Sequence, residues 1–156
     1  MIKFLLCIGC VGLCVAFSWL LTRKYRQRMQ FYYNFDLFNE RLVNEVSYTK
    51  IPLPAFLEKY TFSGEFRQLL EEKRRSEFRE QEFSVEFLNE DERKFVSDYF
   101  RMIGKSDASS QKTYLTAMRG EINEKKRECA EEYKKYFSLY MKLGFLAGLI
   151  LVVLIV

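Results

Sequence analysis

Two stretches without a charged side chain lie toward the ends of this chain, and they constrain it more than anything between them. No Asp, Glu, Lys or Arg occurs from Phe4 to Leu21, and none occurs from Leu143 to Val156. A helix needs about 20 predominantly apolar residues to cross the ~30 Å hydrocarbon layer of a bilayer. Phe4 to Thr22 supplies about 19, ten of them Leu, Ile, Val or Phe, which contribute roughly −3 to −6 kcal/mol on an insertion scale. Arg23, Lys24, Arg26 and Arg28 follow at once, with no small-residue cleavage site before them. That flank reads as stop-transfer rather than as the end of a cleaved signal peptide. Gly9-Cys10 hints at lipoprotein processing, but the apolar run ahead of it is too short.

The second stretch is shorter. Leu143 to Val156 covers about 21 Å at helical rise and approaches 30 Å only if the span begins near Tyr136. Lys142 then lies inside it and snorkels its ammonium to the headgroups, while Tyr136 and Tyr140 sit at the interface. The flanks give an orientation. Four cations follow the first span, Lys134, Lys135 and Lys142 lead into the second, and only Lys3 lies on the other side. Cytoplasmic loops carry the Lys and Arg excess, so the middle of the chain is expected inside the cell. Such a flank also attracts anionic headgroups.

Three parts follow: residues 1–22 as an N-terminal transmembrane helix, 23–142 as a cytoplasmic helical domain, and 143–156 (from about 136) as a C-terminal transmembrane helix. The middle holds all 21 acidic residues and, with Lys3 set aside, 24 of the 25 basic ones. That balance argues against a nucleic-acid surface. With two prolines and seven glycines in 156 residues, an all-α, membrane-anchored bundle is expected.

Phe31, Phe35, Phe38, Leu42 and Val46 recur at helical spacing, continuing the first span without a break and stopping near Tyr48 ahead of Ile51-Pro52-Leu53-Pro54. Pro54 opens a short helix, Ser63 caps the next, and Phe66, Leu69 and Leu70 face inward. The charge-dense run from Glu71 to Glu82 reads as a solvated helix face and a loop. Asn89 and Glu92 have the spacing of a capping pair. Phe95, Val96, Tyr99, Phe100 and Ile103 follow, with Gly104 as a stop. Ser106 or Asp107 caps a last long helix whose inward positions are Leu115, Met118, Ile122, Cys129, Tyr133, Tyr136 and Phe137.

Chemistry is sparse. The chain has no histidine, which removes Ser-His triads and the commonest zinc ligand. No catalytic, cofactor-binding or metal-binding residue is assigned, and the expectation is a non-enzyme. Gly104-Lys105-Ser106 looks like the end of a phosphate-binding loop, but that motif's first glycine would be Tyr99, within a helix. Cys7, Cys10 and Cys14 share a face of the first span and read as small packing residues, and Cys129 as a core thiol. Gly144 and Gly148 form a small-residue face on the second span, with a comparable strip at Gly9 and Gly12. Whether these strips meet each other or another subunit stays open.

Three blocks in order carry a resemblance. Arg23 to Tyr60 holds a basic flank, an amphipathic helix, Glu45 through Tyr48 and Ile51-Pro52-Leu53-Pro54; Gly104 to Asp107 is followed by Gln111; Tyr140 to Gly144 is followed by Gly148 and an aliphatic tail. Together they resemble the stage III sporulation protein AB family of endospore-forming bacteria, with Glu71 to Asn89 more charged than that pattern. The resemblance implies a platform component of the channel apparatus between mother cell and forespore, similar to the platform protein of type II secretion and type IV pilus machines. It implies a place in the mother-cell membrane, a homo- or hetero-oligomer, and partners from the same operon, including a cytoplasmic secretion-type ATPase. Glu45, Tyr48, Pro52, Pro54, Asp107 and Gln111 are the candidate partner-binding or structural positions. The rivals are a membrane-tethered adaptor or regulator that grips one cytoplasmic helix through its aromatic stripe, and an enzyme at the membrane face.

Overall fold

A computed structural model of the chain describes residues 2–48, 51–76, 85–103 and 107–155, and the side chains of these apart from 2–7, 10 and 155. Outside this set fall the side chains of Lys3, Cys7 and Cys10, the later part of the charge-dense run, and the Gly104-Lys105-Ser106 segment with its expected helix stop. The described residues form six helices and no strand: α1 (Ile2–Leu21), α2 (Arg23–Tyr48), α3 (Leu53–Lys59), α4 (Gly64–Arg75), α5 (Glu90–Met102) and α6 (Ala108–Ile155). They divide into two compact units, Met1–Arg26 with Cys129–Val156, and Gln27–Glu128. α2 and α6 contribute to both.

The first unit pairs α1 with the C-terminal part of α6. Among the described residues α6 is the one helix long and apolar enough to cross a membrane, while α1 contributes a shorter apolar segment, Val11–Leu21. The expected unbroken run from the first apolar stretch into the next helix is interrupted at Thr22, the single turn residue between α1 and α2. Ser18 Oγ donates to the Cys14 carbonyl at 2.9 Å and Thr22 Oγ1 to the Trp19 carbonyl at 2.8 Å. Hydroxyls that bond back to their own turn in this way bend helices.

Gly144 and Gly148 are buried on α6. A Cβ on Gly144 would overlap Ser18 Oγ, and one on Gly148 would come within 3.1 Å of Val11 Cα. The small-residue face of α6 is therefore used inside the chain, against α1, where missing side chains let two backbones close up. Gly9 and Gly12 face open space.

The second unit is built around aromatic rings. Phe31, Phe35 and Phe38 of α2 are 1 %, 0 % and 0 % exposed, and the rings of α3, α4 and α5 close around them. Phe35 meets Tyr99 edge-to-face at 4.7 Å, Phe38 meets Phe56 at 5.4 Å, and Phe31 meets Phe66 at 5.3 Å. Such pairs contribute about 0.5–1.5 kcal/mol each beyond the area they bury. Val46 and Phe95, expected in the core, are only half-buried. Tyr32, Asn34, Asn39 and Glu45 are buried in their stead, so the buried arc of α2 is wider and more polar than its apolar stripe.

Helix ends follow local chemistry, with one correction. Pro52 caps α3 and Pro54 lies in its first turn. The capping box at Asn89 is complete: its Oδ1 accepts from the Glu92 amide at 2.8 Å, and Glu92 Oε2 accepts from the Asn89 amide at 3.1 Å. Ser63 stands at the N-cap of α4 but its hydroxyl does not cap the helix. Both its amide and its Oγ turn to Asn34 Oδ1 on α2, at 3.1 and 3.3 Å. Gly64 next to it has φ +62°, which L side chains rarely adopt.

One buried amide links three helices. Asn39, 0 % exposed, accepts from the Tyr99 hydroxyl of α5 at 2.8 Å and donates to the Leu115 carbonyl of α6 at 3.1 Å. Burial holds the Tyr99 hydroxyl well above its ordinary pKa, with the nearby Tyr114 adding to the effect, so it remains a donor. Asn39→Ala leaves both partners unsatisfied, an expected loss of about 1–3 kcal/mol, and Tyr99→Phe gives a smaller one. In chemical denaturation of the detergent-solubilised chain, the double variant should lose less than the sum of the two, because one bond is removed twice. Strict additivity would refute the link.

Candidate functional site

Within the second unit α2 and α6 run antiparallel. Asp36 pairs with Lys126 at 2.5 Å, while Asn39 and Glu40, further along α2, meet the Leu115 carbonyl at 3.1 Å and Arg119 at 3.7 Å, earlier along α6. The C-terminus of α2 and the N-terminus of α6 consequently share one end of the unit. Two blocks of candidate residues that lie far apart in sequence thus fall at the same end of the unit: Glu45, Tyr48, Pro52 and Pro54, and Asp107 with Gln111.

Their surroundings differ. Glu45 is buried, 5 % exposed, and its Oε1 accepts from Lys59 Nζ at 2.5 Å and from the Tyr60 hydroxyl at 2.6 Å. It fastens the end of α3 back onto α2, which closes the proline turn. The hydrogen bond it donates to Glu45 leads the causes that hold the Lys59 ammonium above its ordinary pKa of 10.5. Tyr48 is 86 % exposed, and Pro52 and Pro54 are exposed beside it in sequence. Asp107 is exposed and caps α6, its Oδ2 accepting from the amides of Ser109 and Ser110 at 3.1 and 3.2 Å. Bonds from Ser110, side chain first and then backbone, lower its pKa below 3.8. Gln111 is half-buried, and its amide closes the first turn of α6 onto the Asp107 carbonyl at 2.9 Å. Glu45 thus joins α3 to α2 and Asp107 caps α6, while Tyr48 and the prolines are exposed.

Neighbouring features of this unit had no signal in the sequence. A groove of about 250 Å³ is lined by Leu57, Tyr60, Phe62 and Leu70 together with Arg67, Glu71 and Arg74. Arg41 of α2 lies over the Tyr60 and Phe62 rings at 4.8 and 5.5 Å. No periodicity in the chain relates Arg41 to these rings; only the folding of α3 and α4 onto α2 does. The aromatic stripe of α2, which the adaptor reading needs as a docking face, is consumed by the core.

The membrane-flank cations also separate. Arg28 turns to Glu92, with its Nε and a terminal nitrogen each 2.9 Å from Oε1, the two side chains 20 % and 3 % exposed. It belongs to the second unit, where its charge compensates a buried carboxylate. In the first unit Arg26 lies 4.8 Å over the Trp19 ring. Tyr25 stacks on Tyr136 at 4.4 Å, and Tyr136 on Tyr140 at 6.3 Å. Arg23, Lys24, Lys134, Lys135 and Lys142 are exposed.

Two tests follow from this geometry. Glu45→Ala should free the end of α3 and speed tryptic cleavage after Lys59 about tenfold, the scale expected for losing bonds to a charged group; an unchanged rate would refute the fastening role. The Asp107 cap has a depressed pKa, so its contribution is present above the ordinary value of 3.8 and is lost as pH falls through the lower folded value. Asp107→Ala should lower amide protection at Ser109 and Ser110 near neutral pH, and the unaltered chain should approach that level only in acid. Comparison with known proteins gives one match. The family model described as stage III sporulation protein AB covers residues 3–156, whereas no curated protein and no solved structure matches the chain. With its whole length matched, this chain belongs to the stage III sporulation protein AB family, and its place is in sporulation.

Proposed function

We propose that the chain is a non-enzymatic platform of a secretion-like apparatus between mother cell and forespore. It is tethered in the mother-cell membrane by α1 and the apolar part of α6, with residues 27–128 on the cytoplasmic side. A cytoplasmic secretion-type ATPase and other products of the same operon are its partners. The observation that carries this reading is that Tyr48, Pro52 and Pro54 are exposed at the same end of the helical unit as the capped start of α6. An exposed tyrosine beside two prolines is a surface already stiff before binding, so little conformational entropy is lost when a partner docks on it. The bonds of Glu45 to Lys59 and Tyr60 fasten the proline-bearing α3 to α2 and keep that surface in place.

The orientation rests on charge. Moving the cations that flank both apolar segments across a bilayer is unfavourable, and positive flanks stay on the cytoplasmic side. Arg23, Lys24 and Arg26 supply this bias for α1, and Lys134, Lys135 and Lys142 for α6.

Orientation and partnership are checked separately. Ser109→Cys, in a chain whose native cysteines are replaced, should react with a membrane-impermeant thiol reagent only after the cells are opened. Labelling from outside intact cells would overturn the orientation. Affinity recovery from membranes of sporulating cells should bring down a secretion-type ATPase, and Tyr48→Ala with Pro54→Ala should cut the yield about tenfold, the scale of one hot-spot contact, while helix content stays the same. Reproducible absence of the ATPase with the unaltered chain counts against the platform.

A further inference from the structure

Between the end of α3 and one face of α4 lies the groove of about 250 Å³, which the Tyr48 and proline surface does not use. Leu57, Tyr60, Phe62 and Leu70 are its apolar lining. Phe62 and Leu70 are buried, while Leu57 and Tyr60 are only half-buried. The volume falls below the ~300–1,000 Å³ of small-molecule sites, so it suits one apolar side chain better than a whole cofactor. All of these residues belong to the second unit.

Charge stands in the lining itself. Arg67, Leu70, Glu71 and Arg74 enter it from α4, at the i, i+3, i+4 and i+7 spacing of one helix face. Arg67 pairs with Glu71 at 2.8 Å, both side chains exposed. The hydrogen bond from Arg67, with added pull from Arg75 and Arg74, holds the Glu71 carboxyl below its ordinary pKa of 4.5, so this carboxylate is already answered. Arg41 of α2 lies over the Tyr60 and Phe62 rings at 4.8 and 5.5 Å. Among the described residues neither Arg41 nor Arg74 makes an ion pair, whereas Lys59, 5.2 Å from the Tyr60 ring, is taken by Glu45. Positive charge is thus in excess around an apolar hollow. A free phosphate would match the guanidiniums but leave the apolar lining bare, and Glu71 stands between Arg67 and Arg74 against a dianion. A wholly apolar segment would fill the hollow but desolvate guanidiniums without partners.

We propose that this groove docks an acidic amphipathic helix of a partner protein, with one apolar side chain seated among Leu57, Tyr60, Phe62 and Leu70 and carboxylates on either side of it at Arg67 and Arg74. Arg67 and Arg74 are two turns apart, about 10 Å along α4 at helical rise. A helix lying along α4 matches them with acidic residues at i and i+7 and an apolar anchor at i+4. Arg41 adds its charge from the α2 side. The site takes in neither Tyr48 nor the prolines, so it stands whether or not that surface takes an ATPase.

The test uses the full chain in detergent and a fluorescein-labelled synthetic helical peptide with Glu at i and i+7 and Phe at i+4, followed by fluorescence anisotropy. A peptide with Gln in place of both Glu residues should bind about tenfold more weakly, the scale of two exposed ion pairs, and so should one with Ala in place of Phe. Glu71→Gln, which releases Arg67, should tighten the acidic peptide. Arg67→Glu with Arg74→Glu should lose the acidic peptide and gain one carrying Lys at i and i+7, a gain that misfolding could not produce. Thr61→Trp, at an exposed lining position, should block binding by filling the groove with every charge kept. No binding of the acidic peptide, or equal binding of the Glu and Gln peptides, overturns the proposal. Binding that survives Thr61→Trp refutes the groove. Displacement by millimolar inorganic phosphate, with no loss on changing Phe to Ala, makes this an anion site and overturns the helix.

Discussion

Asn39 places an amide where no water reaches it, and both of its polar atoms are engaged by other helices. The Tyr99 hydroxyl comes from α5 and the Leu115 carbonyl from α6. An aromatic core is tolerant of sliding, because a ring meets another ring almost as well one turn away. A buried amide is not tolerant. Shifting either helix leaves donors and acceptors stranded, at about 1–3 kcal/mol for each. The apolar rings thus supply most of the driving force of the second unit, and the amide selects which arrangement they adopt. The antiparallel register of α2 against α6, and with it the placement of the two candidate blocks at the same end, depends on that selection.

Buried charge is arranged by the same logic. Glu92 closes the N-terminus of α5 with one oxygen and receives Arg28 of α2 with the other. Glu45 receives both Lys59 and Tyr60. Breaking either cluster would leave a carboxylate buried without compensation, which is far more unfavourable than the intact pair is favourable. These clusters therefore act as fasteners of position more than as sources of stability. They fix the ends of short helices that could not hold themselves, α3 having only seven residues.

The first unit obeys different rules because its helices are apolar nearly all round. Close backbone approach at Gly144 and Gly148 takes the place of a hydrophobic core there, and the stacked tyrosines sit where the apolar stretch gives way to charge. Among the described residues, Arg23, Lys24 and Lys142 make no ion pair, unlike Arg28 a few residues further on. This contrast separates side chains that hold the protein together from side chains turned to its surroundings. The proposed platform role draws on the second kind.

Much of this was determined by the sequence alone. The apolar ends, the helical character, the stop at the prolines, the Asn89–Glu92 cap and the Asp107 cap follow from local pattern, since each depends on neighbours within a turn. The inward positions Leu115, Ile122 and Cys129 of α6 were legible for the same reason. Family membership was legible in the order of three short blocks. What tertiary structure decided was every pairing between distant segments. It turned Ser63 from a cap into a partner of Asn34, moved Arg28 from the membrane flank into the core electrostatics, and used up the aromatic stripe that might have served as a docking face. It also chose α1 as the partner of the Gly144–Gly148 face. Periodicity states which face of a helix is buried, but the identity of what covers it depends on how the helices meet in space.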